Sequence, residues 1–400
     1  MAYSFIKESK IIKESKFFFF WVILLFFVNS CVYSFSPVVS GGAHYIVING
    51  DILIGKESQI SVSRANEIGQ ELIGKIRADA VYVEGSDNSR YDGRIQNDNS
   101  YLVDLSSANP EGEYRLVVEM GNSIYESEWS PVLHAPEIDS VSYTINDGRD
   151  VMTIDISAHS DTDNRYYRWL ANQVWEYHAQ DYALAYYDPA VDSILFYENG
   201  QNDEYFCWDS AFVPDLMIAS TEQMSENRFV RHALFSMNNR EQRVSYIYSV
   251  EIYQESISER AYRFFSSVRS NSSRVGGLFS PQPTEVRGNI VNRNDGSELV
   301  LGFISVTKPE TKRIIIECAT LGFSSHGGRD PYNAETNPFS LPVGTDWNSY
   351  YHRGYQVLDP ILDDNSNLII GWRWIRTSCV RCTLHGGTKE KPDWWPIDDQ

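Results

Sequence analysis

Apolar and polar residues alternate along this chain with two periods, and the change between them is clearest from Arg243 to Ile290. Val244, Tyr246, Tyr248, Val250 and Ile252 alternate with Ser245, Ser249 and Glu251, the period of a strand with one buried face. From Ser256 the period becomes helical. Ser256 and Glu259 have the spacing of a capping box, in which hydroxyl and carboxylate each satisfy a backbone N–H at a helix start. Ile257, Ala261, Phe264, Phe265 and Val268 then share one face, so the spacing predicts a helix over 257–270 lying against something apolar. Asn271 to Gly277 ends it with glycine and short polar residues. Pro281 and Pro283 hold the next stretch as an extended loop, where Phe279 either anchors a partner or plugs the core beneath.

Residues 43–133 read as an all-β domain. Tyr45–Ile48, Gln59–Val62, Ala80–Val83, Tyr101–Val103 and Tyr114–Val118 are short runs of strand-forming residues. Turn signals at Asn49-Gly50, Asp92-Gly93 and Pro110-Glu111-Gly112 separate them, and Tyr125 follows the Gly121-Asn122 signal in a closing strand. Regular short strands predict a β-sandwich, transthyretin-like or immunoglobulin-like. His134 to Glu137 reads as a linker to a second sandwich over 137–400, fibronectin-like with insertions and one short helix. There Val151–Ile156 and Tyr166–Tyr177 read as a strand pair joined by Asp161-Thr162-Asp163-Asn164, and strands follow at Leu299–Val306 and Arg313–Cys318. Two stretches lack a clear period: the tyrosine-rich run from Trp175 to Arg228, and residues 320–360 with Trp347, Tyr350, Tyr351 and Tyr355. Long loops of this kind carry function or cover a sheet edge, and these aromatics, with Trp394 and Trp395 near the C-terminus, are the candidate contact residues.

Charge narrows the partners. The formal net charge is -20, while the first thirty residues hold four lysines against two glutamates. A body this acidic argues against nucleic acid, which attracts lysine and arginine. The start has the form of an export signal, residues 1–30: a lysine-containing head, then the apolar run Phe17–Val28. Twelve residues of helix span roughly 18 Å, well short of the ~30 Å hydrocarbon core, so this is a signal and not a membrane span. Val28-Asn29-Ser30 before Cys31 resembles a bacterial lipobox. On that resemblance Cys31 is the lipidated first residue and 31–42 a tether; the alternative is an ordinary signal cut near Ser30.

The order YSVEIYQESISERAYRFF, GGLFSPQPTEVRGNI, LGFISV and KRIIIE resembles the C-terminal half of a Bacteroidetes-type envelope lipoprotein family, domain of unknown function 4249. The resemblance extends back through EYRLVVE, APEIDSV and RYYRW, and forward to CVRC and GGTKEKPDWWP. Members of that family are envelope lipoproteins, often encoded beside TonB-dependent outer-membrane receptors. The resemblance therefore implies a lipid-anchored protein of the cell envelope and outer membrane, serving such a receptor in nutrient capture without catalysis. Val32-Tyr33-Ser34-Phe35 lacks the acidic residues that often follow the cysteine in that family, which leaves the leaflet open.

Catalytic templates find little to match. Gly322-Phe323-Ser324-Ser325-His326-Gly327 has its second glycine one place late for a nucleophile elbow. Asp363, Asn365 and Asn367 open like a calcium loop, but Leu368 stands where glycine is required. No metal and no cofactor is expected. Two alternatives to the accessory role are an extracellular hydrolase whose carboxylates meet only in space and a self-standing adhesin or structural envelope protein. Cys207, Cys318, Cys379 and Cys382 are disulfide candidates, with three possible pairings; the C-x-x-C pair also allows a redox motif or half a zinc site with His385.

Overall fold

Ile46 and Ile48, Ile60 and Val62, Val81 and Val83, and Leu116 and Val118 all enter one core, each pair two residues apart on its strand, as the pleat requires. Their strands are Tyr45–Asn49, Glu57–Ala65, Ala80–Gly85 and Glu113–Met120; Arg90–Ile95, Ser100–Asp104 and Ser123–Ser127 join them in one continuous ladder. The computed structural model describes residues 45–65, 75–198, 202, 204–273, 287–323 and 337–396. The predicted signal, the Cys31 tether and the Phe279–Pro283 loop lie outside the described residues.

Both ends of the first ladder are completed from far along the chain. Ser123–Ser127 pairs with Ile290–Asn292, and Tyr45–Asn49 pairs in parallel with Val300–Leu301. Val306–Lys308 lies between Ile52–Leu53 and Leu133–His134 in a separate small sheet. Residues 287–308, read from sequence as part of the second domain, thus complete the first, because Ile290, Val300, Ile304 and Val306 fill its core. The crossing needs glycine at 302: its φ is +128°, and a Cβ there would overlap the carbonyl oxygen of Ile48. Asp92-Gly93, expected as a turn, is mid-strand instead, and the hairpin turns at Ser86–Ser89.

A second pair of sheets encloses the other large core. Ile138–Ile145, Val151–His159 and Arg228–Asn238 form one; Phe206–Phe212, Tyr166–His178, Ile247–Ser256 and Glu310–Glu317, with Met217–Ser220, form the other. Met152, Ile154 and Ile156 face Trp169, Tyr248, Val250 and Ile252, and Phe229 meets Trp169 edge-on with ring centroids 5.2 Å apart. The chain is all-β, with sandwich-type sheets. Val151–His159 and Tyr166–His178 do not pair, contrary to the expectation from their proximity in sequence; each belongs to a different sheet. The six residues between them cross the sandwich, tied by Asn227, whose side chain donates to the Thr162 and Asn164 carbonyls and accepts from Tyr167 Oη.

The helix forms over Glu259–Ser273. Its cap is Ser258, whose hydroxyl oxygen accepts from the Ala261 N–H at 3.1 Å, and not Ser256, which ends the preceding strand. Ile257 and Ala261 are buried, Phe264 and Phe265 pack on Phe303, and Val268, expected on the same face, is exposed.

Four segments converge on Arg168. Strand register places it opposite Glu255, whose Oε2 accepts from Nε at 2.7 Å. Asp51, from the turn after the first strand, takes Nη2 at 2.5 Å and accepts from the Ser305 N–H. Phe265 of the helix lies against the guanidinium at 4.7 Å. Burial would depress the Arg168 pKa, but the two carboxylates raise it, so it stays a cation. Burial also holds the Glu255 carboxyl protonated up to about 7, against an ordinary 4.5, in spite of Arg168, and it raises Asp51 as well.

Two outcomes follow from this triad. Arg168→Met leaves two buried carboxyls without their cation and lowers the unfolding free energy by about 3–5 kcal/mol in a urea titration. The Glu255 contribution has a sign: the folded state holds its proton where the unfolded chain has lost it, so stability from this group is complete below pH 4.5 and is lost as pH rises through about 7. Urea midpoints measured across that window should fall more steeply for the native chain than for Glu255→Gln; parallel curves would refute the assignment.

Candidate functional site

A depression with polar walls lies on the first sandwich, a cleft of about 390 Å³ between the Ser86–Ser89 turn, Arg115 and Trp129. Its turn is locked by local chemistry. Asp87 Oδ1 accepts from the Ser89 N–H at 2.9 Å, Asn88 takes a positive φ of 68°, and the Gly85 N–H donates to the Ser89 carbonyl. Hydrogen bonds to Ser89 also hold the Asp87 carboxyl below its usual pKa.

Arginines form the floor. Arg115, on the Glu113–Met120 strand, bonds Glu84 Oε2 at 2.7 Å and Glu126 Oε2 at 2.9 Å, and its guanidinium lies 4.7 Å from the centre of the Trp129 ring. Arg90 lies over the Tyr82 ring at 3.5 Å and bonds Asp92 at 2.8 Å. Trp129 itself is 43% exposed. Its loop is nevertheless fixed: the Glu128 N–H donates to the Asn289 carbonyl, the Glu128 carboxylate pairs with Arg260 of the helix, and Ser130–Pro131 pairs with Glu113 and Tyr114. The result is a rigid, solvent-facing site with an indole surface, guanidinium donors and carboxylate acceptors.

The aromatics singled out from sequence lie elsewhere, mostly as core. The stretch 320–360, read as irregular, contributes from Phe339 onward to a three-stranded sheet of Phe339–Pro342, Ile369–Arg376 and Tyr355–Leu362, and holds a short helix over Trp347–His352. Trp347, Tyr350, Tyr351 and Tyr355 are half-buried around Trp372 and Trp374. The tyrosine-rich insertion docks on the same lobe through its hairpin, Ala185–Asp188 with Ser193–Phe196; the Tyr187 N–H donates to Gln356 Oε1 at 2.7 Å, and Tyr187 packs on Tyr351. Trp395 is buried with Val174 and Ile247, and its Nε1 donates to Glu176 Oε2 at 2.8 Å. Trp394 remains 40% exposed beneath Arg313, 3.6 Å from the guanidinium. Asp363 accepts from the N–H groups of Asn365 and Ser366 in a turn, and among the described residues no group of three or more His, Cys, Asp or Glu is placed to hold a metal ion.

Sequence reasoning passed over two sites that the fold creates. One is the cleft, since Glu84, Arg115 and Trp129 come from different strands and loops. The other is the enclosed pair on the Tyr166–His178 strand, where Glu176 bonds His178 Nε2 at 3.0 Å and Tyr205, Phe206 and Tyr246 surround the imidazole. Their separation by two residues, which puts both on one face, was the available signal.

A family model described as a domain of unknown function (DUF4249) matches residues 32–313. The chain belongs to that family. The DUF4249 span takes in the first sandwich with its cleft, the helix and most of the second sandwich; the lobe at 337–396, with the CVRC and DWW strings, lies beyond it. No curated protein was found to match the chain.

One disulfide fastens the part beyond the DUF4249 span to the part within it. Cys207, on the Phe206–Phe212 strand, is bonded to Cys382 across 175 residues. Tyr177 Oη donates to the carbonyls of Cys382 and Gly386, and Thr388 exchanges backbone hydrogen bonds with Trp208. The C-x-x-C cysteines therefore do not act as a unit, and Cys318 and Cys379 are buried thiols and not a second bond. Burial pushes the Cys318 thiol up to about 12. Alkylation of the unfolded, unreduced chain followed by peptide mass spectrometry should label Cys318 and Cys379 and leave Cys207 and Cys382 unlabelled. Cys207→Ser should cost about 2–5 kcal/mol in denaturant titration, because it releases a long loop in the unfolded chain.

Proposed function

We propose that this DUF4249 protein is a non-catalytic, lipid-anchored component of the cell envelope that assists a TonB-dependent outer-membrane receptor in nutrient capture. The observation that carries the reading is the extent of the family match, which starts at residue 32, immediately after Cys31, and runs through the helix to residue 313. Acyl chains on Cys31 would confine the protein to the membrane plane and raise its effective concentration beside a barrel partner, so that even a weak contact suffices. The cleft on the first sandwich supplies a preformed surface for capture. Two close carboxylate pairs that the fold creates are each committed to an arginine, Asp51 and Glu255 to Arg168 with Glu255 fully buried, and Glu84 and Glu126 to Arg115, which favours binding over hydrolysis as the role.

Affinity purification of the tagged, full-length chain from detergent-solubilised outer membranes should recover a TonB-dependent barrel in near-stoichiometric amount. Cys31→Ala should move the protein to the soluble fraction. Recovery of the chain alone after mild crosslinking would instead favour an adhesin or a hydrolase.

A further inference from the structure

We infer that the cleft between the Ser86–Ser89 turn, Arg115 and Trp129 binds an uncharged, polyhydroxylated ligand, a segment of neutral oligosaccharide. This names a ligand class for the capture role proposed above and rests on that reading, while the recognition chemistry is read from the cleft itself.

Charge balance is the first argument. Arg90, Arg115 and Arg293 face Asp92, Glu84 and Glu126, and Glu126 accepts from both Arg115 and Arg293. Each guanidinium already has a carboxylate, so an anionic ligand would have to displace one, and a cationic ligand would meet the arginines. A neutral ligand needs neither exchange. Hydroxyl groups both donate and accept, and ionised carboxylates and guanidiniums keep hydrogen-bonding sites beyond those used in a single ion pair. Glu84, Arg90, Arg115 and Asn88 therefore present both acceptors and donors to one cleft.

The second argument is the indole. A sugar ring carries polar groups around its rim and C–H groups on its faces, and an aromatic face is the surface on which those C–H groups pack. Trp129 is 43% exposed although the rest of its loop is tied down, and Arg115 braces it within the molecule. The third is preorganisation. The turn and the Trp129 loop are both fixed by backbone hydrogen bonds, so little ordering is lost on binding. A volume of about 390 Å³ lies within the range of small-molecule sites, and the exposure of Ser86, Asn88 and Arg90 leaves the cleft open for a chain to continue beyond it.

The test uses the full-length chain in detergent, titrated by calorimetry with maltohexaose, cellohexaose, xylohexaose, mannohexaose and laminarihexaose, and with an oligogalacturonate as the anionic counterpart. We expect a neutral hexasaccharide to bind. Trp129→Ala should weaken it at least about tenfold, a loss in keeping with removal of an aromatic stacking platform, with the circular dichroism spectrum unchanged, and Trp129→Phe should restore part of the loss. Glu84→Gln, which keeps the shape and changes the acceptor, should weaken it separately. The inference is overturned if none of the neutral hexasaccharides binds, if Trp129→Ala binds as well as the native chain, or if oligogalacturonate binds more tightly than every neutral sugar. Recovery of a receptor without sugar binding would remove the ligand class and keep the capture role; sugar binding without any receptor would keep the ligand class and remove the accessory role.

Discussion

Arg168 and its two carboxylates are the constraint on which the described fold depends. Arg168 is 5% exposed, and its guanidinium is held by Asp51, from the first sandwich, and Glu255, from the neighbouring strand of the second. Breaking such a pair costs more than making it gains, since the remaining charge stays buried. Its value here is in specification: four segments have to arrive together before the charges are satisfied. Phe265 reaches the same guanidinium, and Phe303, just before Ser305 in the chain, packs on the helix. A displaced helix or a shifted crossing segment would therefore leave an ion without a partner, which turns an approximate arrangement into a unique one.

Local patterns carried the strands well. Val250 and Ile252 enter the core as their period requires, and the helix lies within a few residues of its predicted span. What failed was each step that depended on distant chain. The cap moved from Ser256 to Ser258 because strand pairing with Tyr167 keeps Ser256 extended. Residues 287–308 have a strand period that fits either sandwich; only the open ends of the first ladder decide where they go. The stretches around 185–196 and 339–360 looked irregular because each holds short elements whose apolar partners lie outside it.

The candidate residues show the same limit. An aromatic in an irregular stretch reads as a contact surface, yet Tyr350, Tyr351 and Tyr355 were serving a small core that the pattern did not reveal. Trp129, with no neighbouring signal, became the exposed one. The cleft around it unites Glu84 and Arg115 from paired strands with a turn and a loop, so no window of sequence contains it. Cysteine pairing depends on distant chain in the same way: the spacing left three pairings open among the four candidates, and Cys382 closes a bond with Cys207 on a strand 175 residues earlier.

The completion of the first ladder from residues 290–308 also sets an order of events. Asp51 and Ser305 are 254 positions apart, yet they share a hydrogen bond just before the paired strands Ile52–Leu53 and Val306–Lys308. A chain that emerges from its N-terminus onward must hold two unpaired strand edges, at Tyr45–Asn49 and Ser123–Ser127, until the second sandwich has been almost wholly produced. Closing so long a loop is slow, and open edges invite pairing with other chains. Until residues 290–301 arrive, the chain therefore carries a half-built sheet whose open edges can find the wrong strand.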